Sequence, residues 1–301
     1  MPYALRDTDL GDSEAIMSKN KKRTKKYLWL RILAGLIIIC AFIIADSAYR
    51  LTVTRYELGY ADLPETFDGF RIVQLSDLHG MEFGRDNERL IRAVKKAEPD
   101  LIAMTGDYIE SAGDLPATES LLKGIREIAP IYFVGGNHDW ASGDMDKLRG
   151  LLVKYGVIYM ENDYELYEKD GGSILICGAA DPNSWADMET PEELAEEAAA
   201  EYPDRFTLFI AHRNNWPDIY PKLDVDLIIC GHGHGGVVRL PIVGGLLGTE
   251  HNLFPKYDDG VFKSGRYNMV VSRGIGGNGA IKIPRFLNNP EIVVTELKKL
   301  S

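Results

Sequence analysis

Histidine, aspartate and asparagine recur in five short groups: Asp77-Leu78-His79, Gly106-Asp107, Asn137-His138-Asp139, His212 and His232-Gly233-His234. Each group follows an apolar run, as in "IYFVGGNHDW" from Ile131 to Trp140. Imidazole nitrogen mixed with carboxylate and amide oxygen is a donor set suited to Mn, Fe, Ni or Zn, whereas Ca and Mg favour oxygen alone. Two such ions at roughly 3.5–4 Å need a shared negative ligand, and a carboxylate such as Asp107 is chemically suited to that place. Asn137 would add an oxygen ligand without adding charge. These residues therefore read as candidates for a paired metal centre, provided the fold brings them together.

The apolar runs are the elements that must do so. "RIVQLSDLH", "DLIAMTGD" and "IYFVGGNHD" read as strands, separated by the helical patterns "NERLIRAVKKAEP" and "TESLLKGIREIAP" and followed by the helix "DMDKLRGLLVKYG". This alternation predicts parallel strands with helices packed on them. The second half is richer in strands: a hairpin turned at Asp170-Gly171-Gly172, a helix "PEELAEEAAAEYP", the strands "RFTLFIAH", "VDLIICGHGHGG" and "YNMVVSRGIG", and a closing "PEIVVTELKK". In open α/β sheets ligands bind beyond the carboxyl ends of strands, which is where all five polar groups fall. Residues at i and i+2 of extended chain point the same way, so Asp77 with His79, and His232 with His234, are expected to face one point. Glycines at 106, 135, 136, 231, 233 and 235 allow sharp turns and close approach of the backbone.

In order, these groups match the pattern D-x-H, G-D, G-N-H-[DE], a lone H and G-H-x-H, and the chain resembles the calcineurin-like metallophosphoesterases from about residue 70 to 297. The resemblance implies a four-layer α/β/β/α sandwich. It implies one metal held by Asp77, His79, Asp107 and His234, and a second held by Asp107, Asn137, His212 and His232. It also implies that His138 acts beside the leaving group, with Asp139 orienting its ring. Two cations would lower the pKa of a bridging water so that hydroxide exists near neutral pH, and would neutralise phosphoryl oxygens during in-line displacement. The apolar N-terminal segment 27–47 and "HGGVVRLP" are closer to a membrane-anchored bacterial branch, where G-H-T-H is commoner; Gly233 departs from it at a non-ligand position.

Each group has a plainer reading when taken alone. Asp77 and Asp107 suit helix N-caps, His232 and His234 a glycine-rich turn, and His212 a satisfied polar residue. Five groups in the family's order outweigh those readings. His251 matches no group and reads as surface. Arg213, Asn214, Arg273 and Asn278 flank the groups and suit phosphate contact or structural roles equally, while the loops 181–187 and 241–265, with Trp185 and Phe254, are candidates for shaping the substrate pocket or for meeting a membrane. A non-catalytic metal-binding scaffold on the same fold is the rival reading; loss of a ligand or of His138 would favour it, and none is lost.

Composition sets the surroundings. The net charge of −11 conceals seven Lys or Arg between residues 19 and 31, which leaves 27 basic against 45 acidic residues elsewhere. So acidic a surface repels a polyphosphate backbone, and nucleic acid is not an expected partner. The basic run leads into the apolar segment 27–47, close to the roughly 20 residues that cross a bilayer. It reads as a transmembrane anchor, with Arg31 snorkelling beside Trp29 and the following chain on the extracytoplasmic side. A cleavable signal ending near Ala45-Asp46-Ser47 is the weaker alternative, because the apolar stretch is long for one. The expected organisation is a disordered cytoplasmic tail with the basic run at 1–26, the anchor at 27–47, a connector at 48–65 and one metallophosphoesterase domain at 66–301. Cys40, Cys177 and Cys230 all lie in apolar runs and read as buried thiols. Sequence leaves the oligomeric state open.

Overall fold

The computed structural model describes residues 8–184, 190–249, 252–277 and 283–300. Two six-stranded sheets carry the fold. The first runs, in spatial order, β1 (Thr52–Tyr60), β14 (Glu291–Lys299), β2 (Arg71–Leu75), β3 (Leu101–Met104), β4 (Ile131–Phe133) and β5 (Ile158–Tyr159). The second runs β12 (Gly260–Ser264), β13 (Tyr267–Val271), β9 (Leu227–Cys230), β8 (Thr207–Ile210), β7 (Gly172–Gly178) and β6 (Asp163–Lys169). A two-residue ladder, β10 (Arg239–Leu240) with β11 (Gly244–Gly245), stands outside them.

Pleat alternation explains why the sheets stack. In β8, Leu208 and Ile210 enter the core between the sheets, whereas Phe209 joins the outer core. In β3, Leu101 and Ala103 face inward and Ile102 and Met104 face the helices. Strands apolar on both faces must be covered on both. The first sheet is covered by α2 (Glu88–Ala97), α3 (Leu115–Ile125) and α5 (Met145–Lys154), through Leu90, Val94, Leu121, Leu122 and Leu148. The second is covered by α6 (Pro191–Glu201), through Leu194 and Ala198. The four-layer α/β/β/α arrangement is therefore present.

The alternating region is parallel as expected, from β2 to β5 and again across β7, β8, β9 and β13. The hairpin turns through Asp170 at φ 50° and Gly171 at φ 84°, a pairing whose twist suits flanking strands. Part of the stretch read as a connector instead forms β1, paired in parallel with β14 from Thr52–Glu291 to Tyr60–Lys299. Its alternating burial is too weakly apolar to declare a strand without its partner. Two short helices were not expected from sequence: α4 (Asn137–Ala141), whose first three residues were read as the end of the strand "IYFVGGNHD", and α7 (Trp216–Ile219).

Residues 46–301 form one compact unit and residues 1–45 another. The N-terminal helix α1 (Thr8–Tyr49) takes in part of the tail read as disordered. Its stretch Lys25–Tyr49 spans 25 residues, about 37 Å at 1.5 Å per residue, enough for a hydrocarbon core of about 30 Å. Trp29, Leu36, Ile38 and Phe42 are exposed along it. Cys40 is likewise exposed, which corrects its reading as a buried thiol; Cys177 and Cys230 are buried. An exposed apolar helix of this length points to membrane association.

Candidate metal centre

All five polar groups meet at the carboxyl ends of strands drawn from both sheets. Candidate ligand atoms of Asp77, His79, Asp107 and His234 lie within 4.8 Å of one another, and so do those of Asp107, His212 and His232. Asp107 belongs to both sets. Asn137 joins the second, its Oδ1 lying 3.0 Å from His212 Nε2.

The backbone turns sharply to achieve this. Asp77, His79, Asp107, His232 and His234 all have φ between 46° and 64°. Left-handed backbone at residues other than glycine costs about 1–3 kcal/mol each and gathers at functional sites. The i, i+2 pairs thus converge through turned loops rather than the extended chain from which convergence was expected. Two glycines make room. A Cβ at Gly231 would lie 1.8 Å from Ser76 Oγ and 2.4 Å from Asp77 Oδ2, and Gly106, at φ 86°, would place one 2.6 Å from Gly136 N. At Gly233 the space a threonine would need is taken by Asn214, whose Nδ2 would sit 2.5 Å from a Cβ and which donates to the Tyr257 carbonyl. Glycine at 233 leaves room for that bond.

Neighbouring groups aim the ligands. His212 Nδ1 lies 2.8 Å from the Thr105 carbonyl and donates to it, which turns Nε2 toward Asp107 and Asn137. His79 Nδ1 sits 3.0 Å from Glu110 Oε1. The His232 amide donates to Asp77, and the His138 amide to Asp107 Oδ1 at 2.8 Å. The cluster is largely shut off from solvent, with Asp77, Asp107, His212 and His234 all buried.

These residues fit a pair of cations. Two ring nitrogens bound to one ion at 2.1 Å would stand about 3.0–3.4 Å apart for angles between octahedral and tetrahedral. His79 Nε2 and His234 Nε2 are 3.2 Å apart, and His212 Nε2 and His232 Nδ1 are 3.1 Å apart. Asp107 Oδ2 is buried without a well-aligned hydrogen bond, although His212 Nε2 is 3.2 Å away and His79 Nε2 3.8 Å. The electrostatics agree. Burial opposes charge on His212, but the Asp107 carboxylate outweighs it and lifts its pKa to about 10. Burial opposes charge on Asp107 too, and His212 overcomes it, so the carboxyl is held well below the usual range. Burial, with His79 and Arg285 nearby, drives His234 far down and leaves it a neutral donor. The pocket demands positive charge and offers lone pairs to meet it.

Asp139 departs from expectation. Rather than orienting the His138 ring, its carboxylate accepts from four backbone amides: Asp107 at 2.8 Å, Tyr108 at 2.8 Å, Ile109 at 2.9 Å and Gly136 at 2.9 Å. With both oxygens so occupied, it splints the loop carrying Asp107 to the start of α4. Burial first, then the Asp107 charge, raise its pKa to about 6, against the pull of those amides. Asp139→Asn should turn one acceptor into a donor facing main-chain N–H groups. We expect metal affinity to fall by about 10–100-fold, read by titration calorimetry, with the Tm lowered as well.

Two residues near the centre escaped the sequence reading. Glu110 shares a cluster with His79 and His138, all within 4.8 Å. Its position three residues beyond Asp107, on the same loop, was an available signal. Arg285 is buried, its Nη2 3.4 Å from His234 Nδ1 and bonded to the Arg273 carbonyl at 2.8 Å. Burial pulls its pKa down to about 10. Nothing in the surrounding "KIPRFLNN" marks it out. Of the flanking residues, Arg213 is clasped by buried Asp181 at 2.9 and 3.2 Å, and Arg273 is paired with Glu291 at 2.7 Å. Trp185, His251 and Asn278 lie outside the described residues.

A two-sheet sandwich with a buried carboxylate–imidazole cluster at its strand ends defines a metal-dependent hydrolase. The profile of the family described as "Calcineurin-like phosphoesterase" matches residues 70–236, and the chain belongs to that family. Its activity class is accordingly metal-dependent phosphoester hydrolysis. YkuE, an uncharacterized metallophosphoesterase of Bacillus subtilis strain 168, is 28% identical over 83% of this chain and 86% of its own length. Phosphodiesterase YaeI of Escherichia coli K12 is 26% identical over 76% of this chain and 82% of its own. A transmembrane protein with metallophosphoesterase domain from Bos taurus is 28% identical over 64% of this chain and 46% of its own.

Proposed function

We propose that this is a membrane-anchored phosphodiesterase or pyrophosphohydrolase, with α1 as its anchor and the catalytic unit on the extracytoplasmic side. The observation that carries the reading is one buried carboxylate, Asp107, common to two separate ligand clusters. Asp77, His79, Asp107 and His234 would hold one divalent transition-metal ion, and Asp107, Asn137, His212 and His232 the other; Mn, Fe, Zn and Ni all suit these donors. When bound, such a pair supplies a nucleophile from water at neutral pH and offsets charge on the phosphoryl oxygens. The chain's own residues do the rest. His138 sits at the mouth of the cluster, half-buried, its ring 5.1 Å from that of His79. There it can give a proton to the departing oxygen. Glu110, within 4.8 Å of His138 and 3.0 Å from His79 Nδ1, supplies the carboxylate that orients them.

A diester would need a seat for a second substituent, and the segment that follows His212 offers a candidate. A recess of about 360 Å³ begins one residue past His212, lined by Asn162, Pro182, Arg213, Trp216 and Tyr220. The naming of the relative YaeI as a phosphodiesterase supports the same reading. The substrate would be lipid-linked or envelope-derived, given the anchor. The test loads the full chain with Mn²⁺ and compares a chromogenic diester with the matching monoester. We expect the diester to turn over faster, and both to stop with a chelator and recover with added Mn²⁺. Faster monoester turnover would overturn the diester assignment.

A further inference from the structure

Beyond the metal centre, the segment following His234 builds a small exposed layer. Val238 to Leu240 lie beside Gly244 to Leu246, the Leu246 amide donating to the Val238 carbonyl at 2.7 Å. The Phe254 amide bonds Leu246 at 3.0 Å on one side, and Arg239 donates to the Phe286 carbonyl at 2.9 Å on the other. This layer presents apolar side chains to solvent: Ile242 is fully exposed, Leu253 66%, Phe254 58% and Val243 57% exposed, flanked by Leu240 and Leu287. Ile242, Phe254 and Leu287 also have left-handed backbone, at φ 71°, 54° and 52°. That is costly for bulky and β-branched residues.

Contiguous apolar exposure of this kind marks an interaction surface. What covers it is indicated by the chain's route. The catalytic unit begins at Asp46, in the last turn of the membrane-length helix. Asn289 Nδ2 donates to the Asp46 carbonyl at 2.8 Å, Arg50 reaches Asn289 Oδ1 at 3.0 Å, and the Asn288 amide donates to Ser47 Oγ at 3.4 Å. Leu287 of the apolar layer is the next residue along. Asn288 also holds the His234 and Val237 carbonyls at 2.7 and 3.0 Å. The anchor's exit, the apolar layer and the metal-ligand loop therefore share one corner of the unit.

We propose that Leu240, Ile242, Val243, Leu253, Phe254 and Leu287 form a membrane-contact surface seated in the bilayer interface, presenting the metal-ligand loop to phosphoester headgroups in the same leaflet. The proposal rests on α1 being a bilayer anchor. Seating these side chains removes apolar area from water, as for an amphipathic interfacial segment. A substrate in the plane of the membrane would meet the site without leaving it.

The test uses the full chain, with Cys40→Ala, in phosphatidylethanolamine–phosphatidylglycerol vesicles, carrying an environment-sensitive fluorophore on Ile242→Cys. Cys177 and Cys230 are buried and stay unlabelled. Labels on Phe42→Cys in the anchor and on Val153→Cys, 78% exposed on α5, serve as references. We expect the 242 probe to shift to the blue and to be quenched by lipids doxyl-labelled near the headgroup, with the 153 probe unaffected. Water-like emission at 242 with a quenched 42 probe would overturn the proposal while leaving the anchor intact; water-like emission at both would overturn the two together. A blue-shifted but unquenched 242 probe would assign the surface to a protein partner and also overturn it. In a second arm, Ile242→Asp with Phe254→Asp should leave a soluble chromogenic diester unaffected. The same variant should slow hydrolysis of a vesicle-borne headgroup diester by about tenfold or more, since two charges cannot follow the apolar face out of water; equal rates would overturn the proposal.

Discussion

Replacing Asp107 with asparagine is expected to lower turnover by on the order of 10³-fold or more and to leave the protein short of metal by elemental analysis. Metal-ion catalysis stabilises a phosphoryl transition state by several kcal/mol, and each 1.36 kcal/mol is about a tenfold change in rate. Asp107 belongs to both candidate ligand clusters, so on the proposed reading one substitution should disable two sites. The asparagine oxygen can still accept from the His138 amide, as Oδ1 does now at 2.8 Å. The loop is thereby retained, and the loss can be separated from unfolding by an unchanged circular dichroism spectrum. Full metal content with near-normal turnover would show that Asp107 bridges nothing.

His138→Ala should behave differently. If its ring acts on the leaving group as proposed, the variant keeps its metal while kcat falls by about 10²–10⁴-fold. The loss should be steepest for alkyl diesters, whose departing oxygen needs a proton, and mildest for nitrophenyl esters, which leave as stable anions. Turnover of an alkyl diester at the wild-type rate would remove His138 from the mechanism. The pair of variants distinguishes holding the ions from using them.

Most of the site was legible because its residues are chemically conspicuous and fall at strand ends. Asp77, His79, Asp107, His212, His232 and His234 come together in the fold, although the turned backbone of five of them was not foreseeable from strand alternation. Asp139 was misjudged because sequence adjacency to His138 suggested a side-chain partner, whereas the first turn of α4 directs its carboxylate at the Asp107 loop. Arg285 was invisible, since a lone arginine in a loop carries no periodicity and only the fold brings it to His234. The central strands announced themselves through continuous apolar runs. β1 did not, because its alternating, half-exposed residues make sense only beside β14.

That last pairing bears on how the molecule is made. β14 lies between β1 and β2, so the strand nearest the anchor joins its sheet only through a segment more than two hundred residues downstream. Contacts so distant in sequence form late and slowly. While the polypeptide is being synthesised, the gap between β1 and β2 stays open with both edges bare, and nascent chains are then vulnerable to sticking and to proteases. The sheet closes only when β14 enters between them, which makes that strand a latch for both its neighbours.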